Sequence, residues 1–227
     1  MAVPTTNFGM SDIEAEFGGT PPTQLSEYYG LGSAPASGEI AMSDFAGESA
    51  GLWVKLSDQT VSGVSSVTFD GYMDSTYEVY CYTILGYNPA SDGRELQFQV
   101  NAVGETGYNE SFTVPAARAS NDEAAGGGSK GLQYQAGNTT GYINITTSVG
   151  SGSDESASGQ LFVYNPGSDA LWTHFQWRTS GYQLSNYQYD TFGAAICRTA
   201  TAIDDLQFKV SSGNFDGRFI LQGLPHS

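Results

Sequence analysis

The stretch that decides the fold is Ala170-Leu171-Trp172-Thr173-His174-Phe175-Gln176-Trp177-Arg178-Thr179-Ser180. Side chains of one kind return at every second position, which is the period of a β-strand and not of a helix. One face of the predicted strand carries Leu171, Thr173, Phe175 and Trp177. The opposite face carries Trp172, His174, Gln176 and Arg178, and an indole beside hydrogen-bonding groups can stack on a sugar ring or anchor a protein contact. This second set is the candidate ligand or interface face, with ordinary packing as its alternative.

The same alternation extends through most of residues 51–227. In Glu95–Val103 the polar Gln97, Gln99 and Asn101 face away from the apolar side chains, and Ile203–Ser211 alternates in the same way. Further strand candidates are Leu52–Leu56, Thr60–Asp70, Tyr77–Leu85, Leu132–Ala136, Tyr142–Val149, Gln160–Tyr164, Phe192–Thr199 and Arg218–Leu224. Turn sequences rich in Gly, Asn, Asp and Pro separate these runs. We therefore predict a mainly β fold, a jelly-roll-like antiparallel sandwich.

One stretch of this region lacks a strand pattern. Val114–Lys130 is rich in Ala, Ser and Gly, and no apolar alternation runs through it. Within it, Ala116–Ala119 is predicted to form a turn of helix, followed by a mobile acidic and glycine-rich loop.

The first 50 residues have a different character. They carry seven acidic residues and no Lys or Arg, since Lys55 is the first basic residue. A degenerate repeat runs through them: Met10-Ser11-Asp12-Ile13, Leu25-Ser26-Glu27-Tyr28 and Met42-Ser43-Asp44-Phe45. Each copy predicts a short helical turn, over about residues 11–17, 26–29 and 43–46, with the Ser as its N-cap and the acid near the positive end of the helix dipole. Ser11 and Glu14 also fit a capping box.

Turns of this length are not stable on their own in water. Fifty residues with so few large apolar groups are not expected to form their own core, so we predict that residues 1–50 form an N-terminal docking arm before a β domain over 51–227. Packing of the arm on its own β domain is the alternative. The predicted docking residues are Met10, Ile13, Phe17, Leu25, Tyr28, Tyr29, Met42 and Phe45.

Composition and charge exclude several classes of partner. There are 24 Asp and Glu against 8 Lys and Arg, a formal net charge of −16. Phosphate contacts and anionic membrane surfaces both require clustered basic residues, so neither nucleic acid nor membrane insertion is expected. The N-terminus lacks the basic and apolar regions of a signal peptide. Cys81 and Cys197 lie in apolar runs and are expected to be buried, reduced thiols.

The sequence does not predict a catalytic residue, a metal site or a cofactor. Residues 47–51 match Gly-x-Ser-x-Gly, but a helical turn precedes the Ser and a strand follows it, the reverse of a nucleophile elbow. Zinc needs clustered His and Cys ligands, and the two of each are widely separated. The acidic runs at 121–123 and 154–155 lack the spacing of a calcium loop. We expect no enzyme, although any two of the 24 acids could meet as a sugar-cleaving carboxylate pair.

Both ends of the chain resemble known sequences. The segments 11–19, 25–30 and 40–47 resemble an N-terminal signature of tailed-bacteriophage virion proteins, frequent in fibre-like and minor structural proteins of marine and cyanobacterial phages. The segment 211–223 resembles the closing hairpin of the β domain in similar proteins, with Arg218 and Gln222 in place of the usual Thr and Tyr. The resemblance implies a virion component, often multimeric, that is assembled in the host cytoplasm.

Sequence and resemblance together predict a non-enzymatic structural protein of a bacteriophage virion, of the fibre or appendage type. The arm would dock to other virion proteins, the β domain would be exposed, and the free protein would be a homotrimer. A host-surface glycan is a secondary partner. The alternatives are a glycan-binding adhesin or sugar-cleaving depolymerase, and a capsid decoration protein.

Overall fold

The computed structural model describes residues 3, 7–18, 24–28, 34, 39–45, 53–122, 131–183 and 185–225. The chain divides into two compact units, Met1–Val54 and Lys55–Ser227. The boundary predicted from the sequence, after residue 50, lies four residues before this division.

The N-terminal unit contains all three predicted turns. The first is the helix α1, Met10–Phe17, with Gly18 as its C-cap. The other two are single 3₁₀ turns, Leu25–Tyr28 and Met42–Phe45. Each turn begins one residue before the repeated Ser, so the predicted Ser N-caps are wrong.

Each turn is capped by its acidic residue instead. The Asp12 carboxylate accepts a hydrogen bond from the Gly9 backbone N–H at 2.7 Å. In the same way, Glu27 accepts from the backbone N–H of Gln24 at 3.0 Å, and Asp44 accepts from that of Ala41 at 2.9 Å. The same hydrogen bond therefore occurs in all three copies of the repeat: a carboxylate in the first turn accepts from the backbone N–H of the capping residue.

The turns also share a small core, contrary to the expectation that this segment could not form one. The last residue of each repeat, Ile13, Tyr28 and Phe45, is buried, and these three pack together with Val3 and Ala34. The Phe45 ring meets the ring of Tyr28 edge to face, with centroids 5.7 Å apart. One position in the repeat thus caps the turn, and the next buries an apolar side chain.

Within its described residues, the second unit contains twelve strands. They are β1 Val54–Val64, β2 Ser66–Phe69, β3 Tyr77–Pro89, β4 Leu96–Ala102, β5 Phe112–Asp122, β6 Gly131–Thr139, β7 Ile143–Asn144, β8 Ala157–Tyr164, β9 His174–Gln183, β10 Tyr187–Cys197, β11 Ile203–Val210 and β12 Phe215–Pro225.

Two antiparallel sheets pack together, which confirms the mainly β fold and the sandwich. The large sheet has the order β1-β12-β3-β8-β9-β10-β5-β6, and the small sheet has the order β2-β11-β4-β7. Jelly-roll connectivity stays a prediction.

The core between the sheets is rich in aromatic side chains. Phe98 of the small sheet lies against Phe175 and Trp177 of β9, with ring centroids 5.4 and 6.0 Å away. Cys81 and Cys197 are free and buried, as predicted. Burial raises the pKa of the Cys197 thiol to about 11.

Two local predictions in this unit are wrong, and a third residue has an environment that the sequence did not indicate. The segment 116–119, expected to be helical, lies in β5 and pairs with β10 on one side and β6 on the other. Only Ile143–Asn144 of the predicted strand Tyr142–Val149 is a strand. Gln99, predicted to face away from the apolar side chains of its strand, is fully buried, and its amide donates to the carbonyls of Glu110, Thr140 and Gly141.

Candidate ligand-binding face

The candidate face of β9 lies on the outer surface of the large sheet. The side chains of His174, Gln176 and Arg178 are exposed, and Phe175 and Trp177, which alternate with them, are buried. Trp172 precedes the strand and is 49% exposed. The structure thus brings the four predicted residues to one surface.

Leu171 was predicted on the opposite face with Thr173. It lies before β9 begins, where the alternation of the strand does not apply, and it is 65% exposed. Leu171 therefore lies exposed beside Trp172, at the edge of the candidate face.

The neighbouring strand β8 extends this face. In the register of the two strands, Tyr164 lies opposite His174, Phe162 opposite Gln176, and Gln160 opposite Arg178. The rings of Phe162 and Tyr164 are nearly parallel, at 21°, with centroids 6.4 Å apart. The sequence pattern predicts β8 only as a strand and does not reveal these neighbours, because they depend on the register of the two strands.

A groove of about 1080 Å³ crosses the outer face from β3 to β10. Aromatic and amide side chains line it, among them Phe162, Phe192, Gln160, Gln176 and Gln188. An amide offers both a donor and an acceptor, whereas the rings offer flat apolar surface. The groove therefore combines stacking surface with hydrogen-bonding groups.

Arg178 and Asp190 form an ion pair in the groove. Arg178 Nε donates to Asp190 Oδ1 at 3.0 Å and Nη2 donates to Oδ2 at 2.7 Å, a bidentate contact. This hydrogen bonding raises the pKa of the Arg178 guanidinium further above its usual range. The Arg178 side chain is 76% exposed, so the pair is mainly a fixed array of polar atoms and adds little stability.

A second depression, of about 570 Å³, adjoins the first. Tyr164, Leu171, Trp172 and His174 line it. The Tyr164 hydroxyl donates to Gln176 Oε1 at 3.1 Å. This hydrogen bond connects a side chain of the second depression, Tyr164, to a side chain of the groove, Gln176. The two depressions are thus neighbours along β8 and β9, with this hydrogen bond between their linings.

Contacts made by its backbone hold the loop that carries Trp172 in place. Asn165 N–H donates to the Glu78 carbonyl at 2.6 Å, and Leu171 N–H donates to Ser168 Oγ at 2.9 Å. Gly167 lies so close to the backbone of Asp74 that an added Cβ would be 2.6 Å from its carbonyl carbon. Trp172 is therefore presented by a preorganised loop.

The predicted docking residues of the N-terminal unit divide into groups. Ile13, Tyr28 and Phe45 form the core of that unit. The partly buried side chains that pack against this core are Met10, Phe17, Leu25 and Met42. Tyr29 lies outside the described residues.

The structure also brings together two carboxylates, Asp70 and Asp205, that no sequence pattern indicates. Asp70 follows β2, and Asp205 lies in β11 and accepts from the Gly71 N–H at 2.8 Å. A hydrogen bond with Asp205, together with its charge, raises the pKa of Asp70. The pair lines neither depression of the candidate face.

Several of the other candidate chemical groups fall outside the described part of the chain. His174 lies on the outer face, and His226 and residues 47–51 lie outside the described residues. Within the described part of the chain, no three His, Cys, Asp or Glu side chains are grouped to hold a metal ion.

Comparison of the chain with protein-family models, curated proteins and solved structures finds no match. The helices among the described residues are all too short or too polar to cross a bilayer.

Proposed function

We propose that this protein is a non-enzymatic structural component of a bacteriophage virion, of the fibre or appendage type. The N-terminal unit attaches the protein to the particle. The sandwich is exposed to solvent, including the outer face of its large sheet. The partners are other virion proteins and, for a homotrimer, two further copies of the chain.

One observation carries this proposal. The segments that resemble the virion signature are the segments that form the three acid-capped turns. The resemblance therefore follows a repeated structural unit and not scattered residues. Met10, Leu25 and Met42 occupy equivalent places in the turns and are only partly buried, so they remain the predicted contacts with the particle.

Incorporation into particles tests the attachment. A chain without residues 1–48 is expected to be absent from purified particles, whereas the full-length chain is present. Circular dichroism of the shortened chain provides the control, because it must retain the β spectrum of the sandwich. Normal incorporation of a folded, shortened chain would contradict attachment through the N-terminal unit.

Oligomeric state tests the trimer separately. Light scattering of the purified full-length protein is expected to give three times the chain mass of 24.1 kDa. A monomer at every concentration would exclude the trimer for the free protein. Immunogold labelling of particles would then distinguish a fibre or appendage from a capsid decoration protein, which would label the head uniformly.

A further inference from the structure

We propose that the outer face of the large sheet is a binding site for an extended, uncharged glycan chain. Trp172 and Tyr164 are the stacking surfaces, and Gln160, Gln176 and the Arg178–Asp190 pair supply the hydrogen bonds. Only the source of the glycan, a host cell surface, rests on the proposed function.

The shape of the face fits a chain better than a compact ligand. From His174 to Ser180 the strand β9 spans about 20 Å, at about 3.3 Å per residue. The two depressions lie along this length and share the Tyr164–Gln176 hydrogen bond. A ligand of several sugar rings could therefore occupy both depressions at once.

The charges of the face favour an uncharged ligand. Among the described residues that line the two depressions, only Arg178 and Asp190 carry full charges, and these are bonded to each other. An anionic ligand would have to displace Asp190 and approach a chain with a net charge of −16. Sugar hydroxyls both donate and accept, which matches the glutamine amides.

The position of the face in the sheet argues against an added peptide strand. A peptide that joins a sheet needs the unpaired backbone of an edge strand. The strands β8 and β9 lie inside the large sheet, each paired on both sides. Recognition at this face must therefore use side chains.

Preorganisation explains why Trp172 could contribute to affinity. An exposed indole normally loses conformational freedom when a ligand binds, and this loss opposes binding. Here the backbone of the loop before β9 is already held by the contacts of Asn165, Gly167 and Leu171, so binding has to order only the indole side chain itself.

Glycan binding can be tested on the purified full-length protein. The probe is a printed array of uncharged hexose and N-acetylhexosamine oligosaccharides, with uronic-acid and sialylated chains as the anionic set. Binding to uncharged chains is expected, and titration calorimetry with the best of them gives the Kd. Trp172→Ala and Gln176→Ala should each weaken binding about tenfold or more, which corresponds to about 1.4 kcal/mol.

Two further variants make the test specific. Tyr72→Ala removes an aromatic ring that is 38% exposed outside the face, and it should leave the Kd unchanged. Asp190→Asn leaves the Arg178 charge uncompensated, so this variant should gain binding to uronic-acid chains. Circular dichroism confirms that each variant is folded.

Several outcomes would overturn the proposal. They are no binding to any uncharged chain, equal affinity in folded Trp172→Ala, or tighter binding of the wild type to anionic chains. Glycan binding by a protein that is absent from particles would reject the virion role and keep the site. Incorporation without glycan binding would do the reverse.

Discussion

Trp177 packs its indole ring over Gly193 of the neighbouring strand. The two residues are paired across β9 and β10, and both face the inside of the sandwich. A Cβ on Gly193 would lie within 2.8 Å of the indole Cε2 atom, far inside ordinary contact distance. The absence of a side chain at Gly193 is therefore what allows the largest core residue to lie flat against the sheet.

Gly193→Ala is expected to destabilise the sandwich by about 1–3 kcal/mol, because the added methyl group overpacks the core. Urea unfolding followed by circular dichroism measures the change. Gly137→Ala in β6 is the matched control, since its Cβ would meet no atom within 4 Å. Equal stability of the two variants would show that Trp177 can move away at little cost.

Two aspartates are expected to give opposite pH dependence. The pKa of Asp70 is raised above its usual value of 3.8 by the hydrogen bond and charge of Asp205. The pKa of Asp92 is lowered, because its carboxylate accepts from the backbone N–H and hydroxyl of Ser151. The proton on Asp70 thus stabilises the fold at low pH, and this contribution is lost as the pH rises through the raised pKa. The Asp92 contribution is present above about pH 4 and is lost as the pH falls.

At pH 7, Asp70→Asn should therefore have a higher Tm than the wild type, and Asp92→Asn should have a lower one. Both differences should shrink as the pH falls below about 4, where the carboxyl groups become protonated. Calorimetry of the three proteins from pH 3 to pH 7 measures this. A change of the same sign in both variants would contradict the assignment.

At the scale of elements, the three capped turns depend on carboxylates and not on the serines. Replacing Asp12, Glu27 and Asp44 together by Ala should destabilise the N-terminal unit, with about 0.3–1.5 kcal/mol for each cap lost. Hydrogen exchange of the Gly9, Gln24 and Ala41 amides reports each cap directly. The matched control replaces Ser11, Ser26 and Ser43 by Ala, a change expected to remain within about 0.5 kcal/mol because these side chains are exposed. A larger effect of the serine set would restore the serines as caps.

The elements also show where sequence patterns are informative. The strand β9 was predictable because its large side chains alternate and its neighbours bury one face. The strand β5 was not predictable, because Ala116, Ala117 and Ala119 show no apolar alternation. Its conformation is fixed by pairing with β10 on one side and β6 on the other.

The candidate site was likewise predictable only in part. Alternation placed His174, Gln176 and Arg178 on one face, but a strand alone does not say which of its faces meets the second sheet. The neighbours Tyr164 and Asp190 follow from the register of β8 and β10, which sequence does not encode locally. Gln99 shows the same limit, since its amide bonds three carbonyl groups from two loops that are distant in sequence.

At the scale of the whole molecule, charge repulsion should lower stability. The chain carries 24 acidic and 8 basic residues. Raising the ionic strength from about 0.01 M to about 0.15 M shortens the Debye length from about 30 Å to about 8 Å and screens this repulsion. We therefore expect the Tm at pH 7 to rise with NaCl, by roughly 2–4 °C for each kcal/mol gained.

Calorimetry over a NaCl series measures this effect. The same series near pH 4.5 is the control, because the smaller net charge should reduce the dependence on salt. A Tm at pH 7 that falls or stays constant with NaCl would show that local ion pairs, such as Arg218 with Asp58, outweigh the overall repulsion.

The two tryptophans around β9 give the protein a built-in pair of optical reporters. Trp177 is 2% exposed and Trp172 is 49% exposed, so their emission maxima should differ. With Trp53 replaced by Phe, and with excitation at a wavelength that tyrosine does not absorb, only these two residues would emit. A sugar stacked on Trp172 should shift its emission to shorter wavelength, whereas unfolding should shift that of Trp177 to longer wavelength. Occupancy of the outer face and loss of the core would then be read from one spectrum, in opposite directions.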